Sequence, residues 1–339
     1  MKDAVAVTLL TGFLGAGKTT LINHFLSHHA DASVAILENE FGAVNIDGAL
    51  LRGGDNVNVV ELSNGCVCCS VRGEFTAALS ELLAQRERGE LTFDRLIVET
   101  TGLADPAPII QTFFVEEALR EALRLDAVIT LADCHHISRQ LDEHPVAASQ
   151  LGFADRILLT KADTCDEQQH SEALARIHQI NNKAEIYQIE NGVCPADLWL
   201  DINAFALSDG NGLTQGFHAI RATDQPAPPR FTPFKEIKRS WNDAIQAHVF
   251  EAGWMDLHKA GAFMEQCVER YGNDMLRYKG VLAIAGNPQR LIVQGVHKVV
   301  GFDYGSAWSE AETPRSRLVI IGRYLPVEEL RAAFAQAAA

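Results

Sequence analysis

Short apolar runs, many of them β-branched, alternate with longer stretches of mixed polarity from the start of the chain through Ile189. Val5 to Leu10, Val34 to Glu38, Val57 to Glu61, Arg95 to Glu99, Leu125 to Leu131, Arg156 to Thr160 and Glu185 to Ile189 each read as a strand. Thr19 to His29, Gly73 to Arg88 and Cys165 to Ile180 read as helices. Strands apolar on both faces, with helices between them, predict an α/β fold with a mostly parallel sheet covered on both sides.

The alternation stops near Ser208. From there to Phe234 the chain carries Pro226, Pro228, Pro229 and Pro233 among several glycines, which reads as a linker over 208–233. Beyond it, a helix from Trp254 to Tyr271, strands at Tyr278 to Ala285, Leu291 to Val299 and Leu318 to Gly322, and a last helix from Val327 predict a smaller α+β domain over 234–339. The α/β domain then occupies 1–207.

Charge and cysteine usage narrow the classes. The 339 residues carry a formal charge of -15, which argues against nucleic acid or an anionic membrane as partner and suits a protein that handles cations. No apolar run approaches the roughly 20 residues that span a bilayer. Ala4 to Leu10 leads straight into a glycine turn and reads as a first strand, not a signal peptide. Seven cysteines, three of them within four positions, do not make a secreted disulfide framework. Reduced cytoplasm is the expected location.

Gly12 to Thr19 matches G-x-x-x-x-G-K-[ST], the phosphate loop. Its glycines Gly12, Gly15 and Gly17, with Ala16 between, let backbone N–H groups turn toward phosphate oxygens. Lys18 would reach the β- and γ-phosphates, Thr19 would offer a hydroxyl to Mg²⁺, and the helix through Thr20 would aim its positive end at the anion. A second element, Arg95 to Gly102, is an apolar strand ending in Glu99. That acid could hold Mg²⁺ through water or position the attacking water, and Gly102 could meet the γ-phosphate by its backbone. Lys18, Thr19 and Glu99 are therefore the candidate catalytic set.

Thr160, Lys161 and Asp163 resemble the guanine-reading motif of GTPases, N-K-x-D, with Thr in place of Asn. Asp163 would accept from guanine N1–H and its 2-amino group, and the stem of Lys161 would lie along the base. Adenine would leave that carboxylate facing a lone pair, a mismatch of several kcal/mol.

Cys66, Cys68 and Cys69 follow an Asn64-Gly65 turn that lets backbone and thiolates wrap one ion. Thiolates suit zinc, copper(I) and other soft or borderline metals. Three ligands from one loop leave a position for water, another residue or a client. A redox thiol pair, or buried unreactive cysteines, is the alternative reading of the same cluster. Glu38 and Glu40, just after the second strand, are candidate ligands for Mg²⁺ or the thiolate-bound ion. Glu116, His135, His136 and the i, i+4 pair His24 and His28 are weaker metal candidates.

Thr11 to Thr20, Glu38 to Gly42, Asn64 to Cys69, Glu99 to Pro106, Thr160 to Asp163, Leu276 to Gly280 and Gln294 to Val296 together resemble the CobW family of GTP-dependent metallochaperones, and within it the YjiA-like members. The resemblance implies a GTPase that binds a metal at the cysteine motif and releases it to a client metalloprotein under the control of GTP. Zinc is the first expectation, with Co²⁺ or Ni²⁺ as other cargo, and a homo-oligomer stays open. The chain departs from the family at Ala43, where some close relatives carry an acid, and at Glu116, where some carry His. Two other readings compete: a thiol redox-sensing GTPase switch, and a P-loop phosphotransferase acting on a small molecule.

Overall fold

A computed structural model describes residues 4–29, 32–39, 57–61, 71–205, 218–221, 245–309 and 312–339. The chain forms two compact units, Met1–Thr214 and Gln215–Ala339.

The first unit is built on seven parallel strands: β1 (Val5–Gly12), β2 (Val34–Asn39), β3 (Val57–Glu61), β4 (Arg95–Thr100), β5 (Leu123–Asp133), β6 (Arg156–Thr160) and β7 (Glu185–Ile189). Their order across the sheet is β3-β2-β4-β1-β5-β6-β7. From β1 the chain first fills one side with β2, β3 and β4, then crosses to the other with β5, β6 and β7. The C-terminal end of β1 is therefore a topological switch point, the place where open α/β sheets bind ligands. All eight residues of β1 are buried, as a central strand covered on both faces requires.

Helices α1 (Lys18–His28), α2 (Val71–Glu87), α3 (Ala107–Val115), α4 (Glu117–Ala122), α5 (Ile137–Glu143), α6 (Pro145–Phe153) and α7 (Glu167–Ile180) connect these strands. Leu21, Ile22, Phe25 and Leu26 set the buried stripe of α1 against Leu10, Ile36 and Trp199. Phe25 and Trp199 meet edge to face at 5.4 Å, a geometry adding about 0.5–1.5 kcal/mol to their area burial. Asp166 caps α7 by accepting from the Gln169 backbone at 2.7 Å, so that helix starts at Glu167.

The second unit holds strands β8 (His218–Arg221), β9 (Ile245–Ala252), β10 (Trp254–Met255), β11 (Met275–Ile284), β12 (Gln289–Val296), β13 (Val299–Ala307) and β14 (Ser316–Arg323), with helices α8 (Leu257–Tyr271) and α9 (Val327–Gln336). The strand order is β8-β13-β12-β11-β14-β9, antiparallel throughout, with β10 lying parallel to β11. Ala260, Phe263, Met264, Cys267 and Val268 give α8 an apolar stripe at helical spacing, packed with Phe250 and Phe334.

The structure differs from the sequence reading in detail. Trp254 and Met255 pair with Ala283 and Ile284, and Asp256 then caps α8, so that helix begins three residues after Trp254. Strand β8 lies inside the span read as a linker, held by pairing with β13.

Candidate functional site

The loop between β1 and α1 adopts the backbone its glycines permit. Gly12, Gly15 and Gly17 have φ of 139°, 73° and 98°, conformations that disfavour side chains. Gly17 then caps α1 with no side-chain partner, leaving the helix N-terminus to the loop crevice. Lys18 is 8% exposed, and its Nζ donates to the Gly12 carbonyl at 2.9 Å and the Phe13 carbonyl at 3.3 Å. Thr19 Oγ1 approaches Glu99 Oε1 at 3.5 Å, so the first turn of α1 meets the end of β4. Thr20 is also on that turn, against Gly192, where an added Cβ would lie 2.7 Å from the Thr20 carbonyl oxygen.

Glu99 and Glu38 are both 5% exposed. They are register partners on the adjacent parallel strands β4 and β2. Neighbouring strands lie about 4.8 Å apart, and register partners on parallel strands face one side. Gly102, just past β4, packs on the phosphate loop: a Cβ there would lie 2.6 Å from Leu14 Cα.

Two residues that the sequence reading passed over support this end of the sheet. Gln150, 1% exposed on α6, donates its amide to the carbonyls of Gly102 at 3.2 Å and Ala104 at 3.1 Å. Asp133, the last residue of β5, accepts from Lys161 Nζ at 2.7 Å and His136 Nδ1 at 3.0 Å. Burial pushes the Asp133 carboxyl up, but the hydrogen bonds from Lys161 and His136 outweigh it and hold it below its usual range. Each had a signal in the sequence. Gln150 is an amide in an apolar helix, and Asp133 an acid at the end of an apolar strand, as Glu99 is.

The candidate guanine-reading residues follow β6. Thr160 Oγ1 donates to the Ala16 carbonyl at 2.9 Å. Lys161 has φ 58°, and its Nζ also reaches the Gly15 carbonyl at 3.1 Å. Asp163 lies in a short 3₁₀ turn, Ala162–Thr164, and is exposed. The phosphate loop and the segment after β6 are thus tied through two successive loop carbonyls.

Cys66, Cys68, Cys69, Glu40 and Ala43 lie outside the described residues. Among the described residues no group of three or more His, Cys, Asp or Glu side chains is arranged to hold a metal. His24 and His28 stack at 4.1 Å on α1, and His135 Nε2 lies 2.7 Å from Thr164 Oγ1. Glu116 sits half-buried at the junction of α3 and α4. Among the described residues, no helix is long and apolar enough to cross a membrane.

Known proteins match over both units. Residues 6–188 match the CobW/HypB/UreG nucleotide-binding domain, and residues 245–338 the cobalamin synthesis protein cobW C-terminal domain. The chain is 42% identical to the zinc chaperone YjiA of Escherichia coli over 336 residues, covering 98% of each chain. It is 33% identical to the zinc chaperone CobW of Pseudomonas aeruginosa, over 94% of this chain and 88% of the relative. The crystal structure of the Zn(II)-bound YjiA GTPase from E. coli superposes with a TM-score of 0.76 at 35% identity, covering 99% of this chain and 100% of that one. With both family domains in order and the phosphate loop, Glu99 and Thr160 brought to one crevice, this chain belongs to the CobW family.

Proposed function

We propose that this chain is a GTPase that takes up a transition metal, zinc first, at Cys66, Cys68, Cys69 and Glu38, and that its nucleotide state governs release to a client metalloprotein. The observation that carries the proposal is the register of Glu38 with Glu99. Glu99 sits beside Thr19 of the phosphate loop. Glu38 is one strand further out, next to β3, whose last residue Glu61 lies five positions before Cys66. A change at the γ-phosphate would therefore reach Glu38 within a strand's width, beside the strand that leads in sequence toward the cysteines.

The residues divide the work. Backbone N–H groups from Gly12 to Thr20 and the Lys18 ammonium bind the phosphates, while Gly102 brings the loop after β4 up to them. Thr19 Oγ1 and the Glu99 carboxylate are hard oxygen donors that meet at 3.5 Å, which fits Mg²⁺, whose charge would offset that of the phosphates. Glu99 would also orient the attacking water. Thr160, Lys161 and Asp163 select guanine. Zinc is cargo in this scheme, as the names of the E. coli and P. aeruginosa relatives indicate for those proteins. In this scheme the GTPase domain spans 1–207 and the C-terminal domain 234–339, with strand β8 of the intervening 208–233 paired into the latter's sheet. Reduced cytoplasm would keep the thiols of Cys66, Cys68 and Cys69 available.

The test is zinc affinity under reducing conditions, by competition with a calibrated chelator, with a non-hydrolysable GTP analogue, with GDP and with neither. The expected difference between the GTP and GDP states is about 5- to 150-fold, the usual span of allosteric coupling. Linkage requires zinc to raise the preference for GTP over GDP by the same factor. Equal zinc affinities in the two nucleotide states would overturn GTP-gated delivery.

A further inference from the structure

We infer that Asp133 is a positioning residue for base recognition: it holds Lys161 across the phosphate loop and so sets both the affinity and the base selectivity of nucleotide binding. This rests on reading Lys161 and Asp163 as the guanine-binding pair.

Asp133 ends β5 and is the register partner of Thr160 on β6, so it sits directly beside the segment that enters the base site. Its side chain is 3% exposed. A carboxylate that buried needs a countercharge and filled lone pairs. Oδ1 accepts from the His135 backbone at 2.9 Å, and Oδ2 accepts from His136 Nδ1 at 3.0 Å and from Lys161 Nζ at 2.7 Å. The acid is a fixed post, and Lys161 is tied to it.

Lys161 is held in a conformation it would not choose. Its φ of 58° and ψ of 23° are left-handed, a state costing a non-glycine residue roughly 1 kcal/mol. Its Nζ bridges Asp133 Oδ2 and the Gly15 carbonyl, so both ends of the side chain are pinned. A pinned four-carbon stem presents one flat apolar face beside Asp163, two residues on. Without the carboxylate, a lysine whose side chain is 46% exposed would turn to water. The stem would then leave the base, and Lys161 would lose the left-handed turn that aims Asp163. Asp133 is therefore coupled to the base without touching it.

The experiment uses the full chain and measures affinities for GDP and IDP (inosine lacks the 2-amino group) by displacement of a fluorescent guanine nucleotide. It also measures turnover at saturating GTP. Asp133→Asn should weaken GDP binding about tenfold, shrink the preference for GDP over IDP, and leave saturated turnover within twofold of wild type. Lys161→Met should likewise weaken GDP binding and shrink the preference for GDP over IDP. Adding Asp133→Asn to Lys161→Met should then change affinity less than twofold, because a residue acting through Lys161 has nothing left to position. Equal losses in both backgrounds, or a loss of melting temperature with unchanged nucleotide affinity, would reduce Asp133 to a structural acid and overturn the inference. If Asp133→Asn does not fold, Lys161→Met carries the test, and wild-type affinity in that variant overturns it. Asp163→Asn separates the two levels. If it fails to shift preference toward xanthosine nucleotides, the guanine reading itself falls, and this inference with it. If it shifts preference while Asp133→Asn does nothing, the inference alone falls.

Discussion

Thr160 Oγ1 donates a buried hydrogen bond to the Ala16 carbonyl, tying the start of the base-reading segment to the floor of the phosphate loop across 144 residues of sequence. Asn is usual at this position of the GTPase motif, and the hydroxyl makes a direct loop contact from it. Thr160→Val keeps the shape and removes the donor. It should leave Ala16 O short of a partner and cost about 1–3 kcal/mol. The expected outcome is a melting temperature lower by several degrees together with weaker GTP binding. Thr160→Asn, with a longer amide donor, should keep more of the affinity than Thr160→Val. Calorimetry and nucleotide titration on the two variants check this, and a Val variant that binds GTP as tightly as wild type contradicts it.

Gln150 supplies a second tie. Its amide holds the carbonyls of Gly102 and Ala104 in the loop after β4, and Gly102 packs against Leu14 of the phosphate loop. Gln150→Leu matches the volume but leaves two carbonyls without that donor, so it should destabilise the domain by about 1–3 kcal/mol. Gly102→Ala should be worse for catalysis than for folding, since the new Cβ strikes Leu14 backbone. GTP hydrolysis should fall at least tenfold in Gly102→Ala, and melting curves should separate that loss from simple unfolding.

The parts of this design that were legible in the sequence are those written locally. The glycine spacing of the phosphate loop demands particular backbone angles, which Gly12, Gly15 and Gly17 adopt. The inner strands β1, β4, β5 and β6 are buried on both faces and so read as largely apolar runs. Helix α3, Ala107–Val115, was not legible because it is apolar on nearly every side, which leaves no polar face to reveal a helical period. Strand β13 carries Gly301 and Gly305 and three exposed residues near its end, which hides its pattern. Asp133 and Gln150 were passed over for another reason. Their partners, Lys161 and Gly102, lie 28 and 48 residues away, and only the fold brings them together.

Thiol chemistry should separate the cysteine loop from the buried cysteines. Burial pushes Cys134 up to about 12, with help from the neighbouring Cys165 and the Asp133 charge, and burial pushes Cys267 to about 12 and Cys194 to about 11. A raised thiol pKa means less thiolate at a given pH, here below about one part in a thousand at pH 7.5. Iodoacetamide on the native reduced protein should therefore spare Cys134, Cys194 and Cys267 and modify Cys66, Cys68 and Cys69, with zinc protecting that last set. Peptide mass spectrometry reads the pattern directly. Labelling of Cys134 or Cys267 as fast as the loop thiols would mean that the packing around them opens.

The two buried acids in one row should prove separable. Glu99 lies beside Thr19 on the strand next to β1, so it belongs to the phosphate side. Glu38 lies on the next strand out, beside β3, which leads in sequence toward the cysteines, and the delivery scheme assigns it to the metal side. Each Glu→Gln change keeps shape and removes charge. Glu99→Gln should lower GTP turnover by about 10²-fold or more, the scale of losing a general base or an electrostatic support. Its zinc affinity in the GDP state should stay near wild type. Glu38→Gln should weaken zinc about tenfold or more and shrink the difference in zinc affinity between the GTP and GDP states, while basal turnover stays within a few-fold. The physical reason is distance: about 4.8 Å between strands lets each carboxylate serve a different cation while still feeling the other's charge. That shared field alone sets two neighbouring cations against each other, so the extra zinc affinity expected with the GTP analogue has to come from ordering of the strand ends around the γ-phosphate. Glu99→Gln, which weakens the hold on that side, should therefore also reduce the extra zinc affinity conferred by the GTP analogue. Turnover and zinc competition measured on both variants decide the matter. If Glu38→Gln abolishes hydrolysis while Glu99→Gln only weakens zinc, the roles are reversed and the delivery scheme must be redrawn around β2.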